Sequence, residues 1–290
     1  MVRHTRITKF DIFVYTLMCI LVLIILIPVW SIIVMSFVSE YERLNRGMFI
    51  LYPQKLDFSA YVSMLKSGSN IYSGYTVTIF RVTVGIACNM FVTTMLAYAL
   101  SKRNLPGRKV ITFFIYFTML FNGGLVPTFL VVKNTGLYNT LAAYVVPGLV
   151  SAWNLFLMRN FFMQIPAELD EAAVIDGASP PTILIKIVLP LSVPTLITIA
   201  LLYMAWHWNS WYDGLLYIQN RELLTLQNVL RNTLTAANLE DINDITAVSR
   251  PPLGAVRSAM IVISTLPILC FFPFVQKYFV KGIMIGSVKG

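Results

Sequence analysis

Between Glu171 and Pro190 the chain reads EAAVIDGASPPTILIKIVLP, an acidic, alanine-rich, glycine-broken stretch set between two long apolar runs. Its carboxylates, with Glu168 and Asp170 just before, are the groups that could do chemistry. No histidine or cysteine stands among them, so the set offers charge and hydrogen-bond acceptance rather than a metal centre or a nucleophile–base pair. Pro166 suits a first helical position, where its missing N–H is no loss. Glu168, Asp170 and Glu171 follow in the first turn, where the helix dipole favours negative charge. Ala172 and Ala173 are strong helix formers of little bulk. Gly177 can take the left-handed conformation that ends a helix. Ser179 and Pro180 read as the cap and first-turn proline of a second helix that runs toward Leu189. Pro190 and Pro194 punctuate the start of the next apolar run. The expectation is two short helices joined at a glycine corner. Such a surface either presses into a groove on another protein or is an ordinary loop capping its own helices, and local physics leaves both open.

Other chemistry is poorly provided for. The histidines are His4 and His207, so the H-E-x-x-H spacing of a metalloprotease is absent. No G-x-S-x-G precedes His207, and no phosphate-binding G-x-x-x-x-G-K-[ST] occurs, so the chain reads as neither a serine hydrolase nor an ATPase. Cys19, Cys88 and Cys270 each lie inside an apolar run without metal-ligand spacing and read as small buried hydrophobes.

The elements that must position these residues follow from composition. Of 290 residues, 57% are hydrophobic and 12% charged, against about 25% charged in soluble domains. A bilayer is the natural solvent for such a chain. The net charge of +9 sits mostly at the flanks of apolar runs, as membrane topology requires, and no basic block interleaved with aromatics suggests nucleic acid. Apolar runs near the 20-residue spanning length place six spans at about 11–37, 72–100, 110–132, 141–162, 187–211 and 257–279. The first follows Arg3, Arg6 and Lys9, is longer than a signal-peptide core and lacks a small-residue cleavage site, so it reads as a retained helix. Lys102, Arg103, Arg108 and Lys109 crowd one short connection, and the tail adds Lys281 and Lys289. Placing these inside puts both termini in the cytoplasm. The expected architecture is an all-α integral membrane protein: a short arm (1–10), a six-helix membrane domain (11–281) and a tail (282–290), with 163–190 inside and a long loop (212–256) outside. Within that loop Leu223, Leu226, Leu230 and Leu234 recur at helical spacing, as one face of a surface helix or as a docking element.

Polar groups inside a bilayer face a cavity or another helix. Asn89 and Asn154 are interhelical bonding groups or ligands, whereas Arg81 and Arg257, near outer boundaries, are expected to snorkel. Asn122-Gly123-Gly124, with Pro127, should bend the third span in mid-membrane, as a packing kink or as part of a translocation path. Trp206, Trp208, Trp211 and Tyr212 suit an interfacial aromatic belt. The three indoles could instead stack on sugar, with His207 and Asn209 supplying hydrogen bonds. Secondary transporters carry mid-membrane ionisable groups for ion coupling, and here the carboxylates lie almost wholly in loops. A secondary transporter or channel-type protein nevertheless stands as the alternative.

The stretch 171–190 resembles the EAA motif of permease subunits of ATP-binding-cassette importers, with Glu171, Ala172, Ala173, Gly177, Ile187, Leu189 and Pro190 filling it without a gap and Asp176, Ala178 and Pro194 fitting the version seen in sugar importers. NGGLVPTF (Asn122–Phe129) and VSAWNLFLMRNFF (150–162) are similar to the carbohydrate-uptake branch that serves complex oligosaccharides. Pro180 and Ile183 stand where that family often has aromatics. The resemblance implies a type I importer permease fold, half of a pathway through a prokaryotic plasma membrane. It makes Glu171, Ala172, Ala173, Asp176, Gly177, Ile187, Leu189 and Pro190 the coupling segment, with Glu171 pairing a basic residue of the ATPase and Gly177 as the corner. It further implies a second, different permease chain, two ATP-binding subunits that use ATP and Mg, and an extracytoplasmic sugar-binding protein. No cofactor or metal is expected on this chain.

Overall fold

A computed structural model describes residues 8–47, 49–65, 70–243 and 253–287. All regular structure among them is helical. The chain divides into two compact units, Met1–Ser69 with Leu230–Pro267 and Asn70–Val229 with Ile268–Gly290.

In the first unit, helix α1 (Lys9–Met35) opens with a capping box: Asp11 N–H donates to the Thr8 hydroxyl and Thr8 N–H to the Asp11 carboxylate. From Ile12 to Trp30 it is apolar and exposed around most of its circumference, as a lipid-facing helix should be. Its last turn buries Val34 and Met35 against Val38 and Ile50. Helix α2 (Glu40–Arg46) carries Glu42, whose carboxylate accepts from Gln54 N–H at 2.8 Å and Arg46 Nη1 at 2.6 Å. Helix α3 (Ser59–Leu65) is held by Tyr61, which donates to Ser36 Oγ at 2.7 Å and stacks on Phe37.

The second unit is built on α4 (Asn70–Ser101). Gly74, Val77, Thr78, Arg81, Gly85, Asn89, Thr93 and Ala97 are buried along one side, most of them four residues apart, while Phe80, Val84, Phe91 and Met95 are exposed. A stripe of small and polar residues lets other backbone approach closely and supplies the interhelical hydrogen bonds that lipid cannot replace. Helices α5 (Arg108–Leu120) and α6 (Leu125–Asn134) follow, bent by 119°. A 3₁₀ turn (Leu141–Tyr144) and irregular backbone lead to α7 (Ala152–Phe162). Then come α8 (Ala167–Ile175), α9 (Pro180–Ile183), a π turn (Leu184–Val188), α10 (Leu189–Leu191), α11 (Val193–Asn209) and α12 (Tyr212–Tyr217). Helices α13 (Leu226–Asn243) and α14 (Leu253–Ser287) complete the described chain. Of the leucines at helical spacing, Leu226 is buried, and its N–H donates to Thr78 Oγ1 at 2.9 Å, while Leu223, Leu230 and Leu234 are partly buried.

Among the described residues three helices, α1, α4 and the Gly254–Phe271 part of α14, are long and apolar enough to cross a membrane; each bent pair, α5/α6 and α9–α11, could add one, for up to five. The expected continuous span at 141–162 does not form. Pro147 has no N–H to give and disfavours helix at Val146, and α7 starts only where the Ser151 hydroxyl accepts from Asn154 N–H.

Arg81 departs from expectation more sharply. It does not snorkel: its side chain is 0% exposed and pairs with Asp213 through both carboxylate oxygens. Nη1 also reaches Ser210 O at 3.3 Å, and the guanidinium lies 4.8 Å from the Tyr144 ring centre and 5.5 Å from that of Trp206. Its Nε donates to His207 Nδ1 at 3.3 Å. Nδ1 is therefore the acceptor, which leaves the proton on Nε2, and Nε2 donates to Asn89 Oδ1 at 2.7 Å. Asn89 Nδ2 in turn donates to Gly148 O and Leu149 O at 2.8 and 2.7 Å. The relay joins α4, α11, the start of α12 and the irregular strap before α7, and a Cβ on Gly85 would land on the His207 ring. Arg257 is partly buried, with its Nε inside the fold.

The bend between α5 and α6 is local. Asn122 Oδ1 accepts from Gly124 N–H at 2.9 Å, and Gly124 has φ +95° with ψ 173°, a region essentially reserved for glycine. Two outcomes follow. Asp213→Asn strands a buried guanidinium and should destabilise the protein by about 3–5 kcal/mol, read as a lowered melting temperature in detergent, whereas Arg81→Met with Asp213→Leu should lose less than Asp213→Asn alone. Gly124→Leu should lower stability through backbone strain of about 1–3 kcal/mol. Gly123→Leu, where a Cβ meets nothing within 4 Å, should melt with the wild type.

Candidate functional site

The acidic stretch folds as two short helices around Gly177. Pro166 is the N-cap and α8 begins one residue later. At its end Gly177 takes φ +79°, Ala178 N–H donates to Ala173 O at 2.9 Å and Gly177 N–H to Val174 O at 3.0 Å. That is a Schellman ending, in which the left-handed glycine turns the chain and satisfies two terminal carbonyls. Its usual apolar contact is present, since Ala173 and Ala178 belong to one cluster. Ser179 precedes α9 as expected, but its hydroxyl pairs with that of Thr182 at 2.9 Å rather than with backbone. The π turn lies immediately before Leu189 and Pro190. Pro190 cannot donate to the carbonyl four residues back and its ring crowds it, and a wider turn relieves both. Beyond Ser192 the chain turns by 85° into α11.

The motif residues divide between two faces. Ala173 is buried, and Ile187 and Leu189 pack beside it against Leu100, Phe162, Ile183, Leu184 and Val188. Lys102 pairs with Asp170 while its Nζ lies 4.4 Å from the Tyr98 ring centre. Tyr98 OH donates to Pro180 O at 3.1 Å. The Ser101 end of α4 thus grips both short helices. Glu171, Ala172, Asp176, Gly177 and Pro190 are exposed. Beside them Val174 is exposed and Ile175 is 86% exposed. Glu171 and Asp176 make no ion pair with any described residue. Val174 and Ile175 thus form an exposed aliphatic knob flanked in sequence by Glu171 and Asp176, on a base braced by α4, a combination that can enter a groove on another protein. Lys102 and Tyr98 were missed by sequence reasoning, which saw Lys102 only as a topogenic charge.

The pathway candidates are not gathered in one place. Asn122, Gly123 and Gly124 are exposed at the bend they create. Asn209 is exposed and donates to Ala205 O on its own helix at 2.8 Å. Trp206 lines a cavity of about 420 Å³ with Trp153, Asn154, Ser151 and Tyr203. Tyr203 OH bonds Thr93 Oγ1 at 2.8 Å and accepts from Ser151 N–H at 3.2 Å, which fixes one wall. Trp208 and Trp211 do not line this cavity; the Trp211 carbonyl accepts from Asn228 at 2.7 Å and its ring packs edge-on to Tyr212. His207 cannot serve a sugar, because both its nitrogens belong to the buried relay. Asn89 is an interhelical bonding residue, whereas Asn154 faces the cavity. Trp153 was not singled out by sequence reasoning, although it is exposed beside Asn154 in the VSAWN stretch.

Comparison with known proteins bears on the whole chain. The family described as "Binding-protein-dependent transport system inner membrane component" matches residues 89–285. The polygalacturonan/rhamnogalacturonan transport system permease protein YtcP of Bacillus subtilis is 38% identical over 283 residues, 97% of this chain and 98% of its own length. Protein LplC of the same organism is 41% identical over 268 residues, 92% of this chain and 90% of its own. Among solved structures, a chain of a bacterial ABC transporter involved in the import of the acidic polysaccharide alginate superposes with a TM-score of 0.84 at 33% identity, covering 95% of this chain and 99% of that one. These matches set aside the reading as a secondary transporter or channel. A chain matched over nearly its full length by a transport system permease protein, and over residues 89–285 by the family model, belongs to the binding-protein-dependent transport system inner membrane components and is a permease subunit of an ABC importer.

Proposed function

We propose that this chain forms half of the translocation pathway of an ATP-driven oligosaccharide importer in a prokaryotic plasma membrane, with acidic, uronate-bearing chains as the first candidates. The observation that carries the coupling role is the α8–Gly177–α9 unit, which buries one face of the motif on the end of α4 and leaves Ile175 with Glu171 and Asp176 uncovered. In this reading the chain crosses the membrane six times, counting 141–162 as a crossing made of the 3₁₀ turn, strap and α7. Both termini and 163–190 lie inside, and 212–256 lies outside. Two ATPase subunits, which bind ATP and Mg, seat the knob in a groove; a second, different permease chain completes the pathway, and an extracytoplasmic binding protein delivers the sugar. The substrate class is supported by relatives named for polygalacturonan/rhamnogalacturonan and alginate transport. The cavity between Trp153 and Trp206, with Asn154 at its side, offers the indole faces and amide that sugar rings use.

Glu171→Ala should weaken copurification of the ATPase and reduce uptake, since removing one partner of a buried charge pair costs about 2–5 kcal/mol; unchanged assembly together with unchanged uptake would refute the pairing. Gly177→Val, strained by about 1–3 kcal/mol at a left-handed position, should impair uptake while leaving membrane insertion intact, and wild-type uptake in that variant would remove the corner from the mechanism. Uptake assays with a panel of uronate and neutral oligosaccharides test the substrate class. Preference for neutral sugars would contradict the acidic assignment without touching the coupling one.

A further inference from the structure

Helix α5 begins with the wrong charges. Arg108 and Lys109 open it, at the end where the dipole is positive and acidic residues stabilise. Its first turn has no Asp or Glu, and its N-cap, Gly107, brings no side chain to the free N–H groups. Arg159 on α7 adds a third cation. Arg108 Nε and Arg159 Nε both donate to Leu100 O, at 2.9 and 3.0 Å. Two guanidiniums drawn to one neutral oxygen at the edge of an apolar bundle repel each other unless an anion lies near. Among the described residues no carboxylate pairs with either. Arg108, Lys109 and Arg159 instead line a cavity of about 470 Å³ with Thr112, Phe113 and Tyr116. Thr112 Oγ1 is buried there with no hydrogen-bond partner.

The cavity continues into an apolar rail. Phe113, Phe117 and Phe121 stack along α5 with ring centres 6.4 and 5.3 Å apart. All three are exposed, and α5 buries none of its residues. From the first ring to the last the rail rises about 12 Å, most of the roughly 15 Å hydrocarbon depth of one leaflet. A cationic nest at the head of an aromatic rail matches an amphiphile with a phosphate at one end and a hydrocarbon chain at the other.

We propose that this is a binding site for an anionic phospholipid, with its phosphate held by Arg108, Lys109 and Arg159, a hydrogen bond from Thr112, and an acyl chain laid along Phe113, Phe117 and Phe121. A free phosphate ion would satisfy the nest but leave the rail uncovered, so the lipid is the source the geometry favours. The site goes beyond the transport reading and does not depend on which sugar is carried.

The test uses the full chain, assembled with its partner subunits, in phosphatidylcholine nanodiscs carrying a trace of spin-labelled phosphatidylglycerol or, separately, of spin-labelled phosphatidylcholine with the same chains. The wild type should immobilise the phosphatidylglycerol label several-fold more strongly. Arg159→Gln breaks a bond to Leu100 and could unfold the region, so the informative variant is Lys109→Gln with Thr112→Val, which leaves both Leu100 bonds in place. It should lower the preference about fivefold, the worth of about one interfacial charge. Lys133→Gln, an exposed cation on α6, should leave the preference unchanged. Equal immobilisation of the two lipids by the wild type overturns the proposal, as does a preference that survives the Lys109→Gln/Thr112→Val change. Loss of the preference in millimolar inorganic phosphate would give the nest to a free anion and likewise overturn the lipid assignment.

Discussion

The second unit depends on a polar seam down one side of α4. In lipid there is no hydrophobic force between helices, and individual interhelical hydrogen bonds are worth only about 0.6 kcal/mol on average. A buried ion pair is different in kind, because leaving one charge unpaired costs several kcal/mol. The Arg81–Asp213 pair therefore outweighs the neutral bonds around it in deciding which arrangement is allowed. It requires the start of α12 to return to α4, and through His207 and Asn89 it fixes α11 and the strap before α7 in the same step. Close approach is possible because glycine stands at position 85, under the His207 ring.

The same helix ends in the grip on α8 and α9. Arg81 and Lys102 lie on one continuous helix or its immediate end, so the polar seam and the brace on α8 and α9 share a rigid spine. Away from it the backbone is interrupted, at the Asn122–Gly124 bend and at Ser192, where the chain turns by 85°. In the coupling reading this division is mechanically useful: a push on the Ile175 knob is carried by the buried cluster that holds Ala173, Leu100 and Ile183, rather than absorbed by a loose loop. Bends can then redirect the movement, because irregular backbone is where a helical bundle changes shape with least disruption.

Legibility in the sequence tracked the range of the interaction. Short-range signals were readable: the acidic first turn of α8, Gly177 as its end, Pro190 at a distorted turn and the bend at Asn122-Gly123-Gly124. The broken run at 141–162 carried its own warning in Pro147 and Gly148, which apolar composition masked. Long-range pairings were not readable. Nothing near Arg81 points to Asp213, 132 residues away, and an arginine near a span end reads as a snorkelling one until its partner is placed. His207 looked available for the same reason. Lys102 and Asp170, 68 residues apart, each had a sufficient local explanation, one as a topogenic charge and the other as a first-turn acid. The EAA spacing picked out the α8–Gly177–α9 segment, but which of its residues face outward emerged only from packing: Ile187 and Leu189 serve the base, whereas Ile175, not singled out from the motif, is the most exposed apolar side chain of the segment.

The measurement that bears most directly on the coupling account is site-directed photocrosslinking from position 175 in the assembled transporter within native membranes. The account predicts that a photoreactive residue there captures the ATP-binding subunit in high yield, and that the yield changes between nucleotide-free and ATP-bound conditions. Capture of lipid alone, or of no ATPase while sugar still accumulates against its gradient, would contradict it.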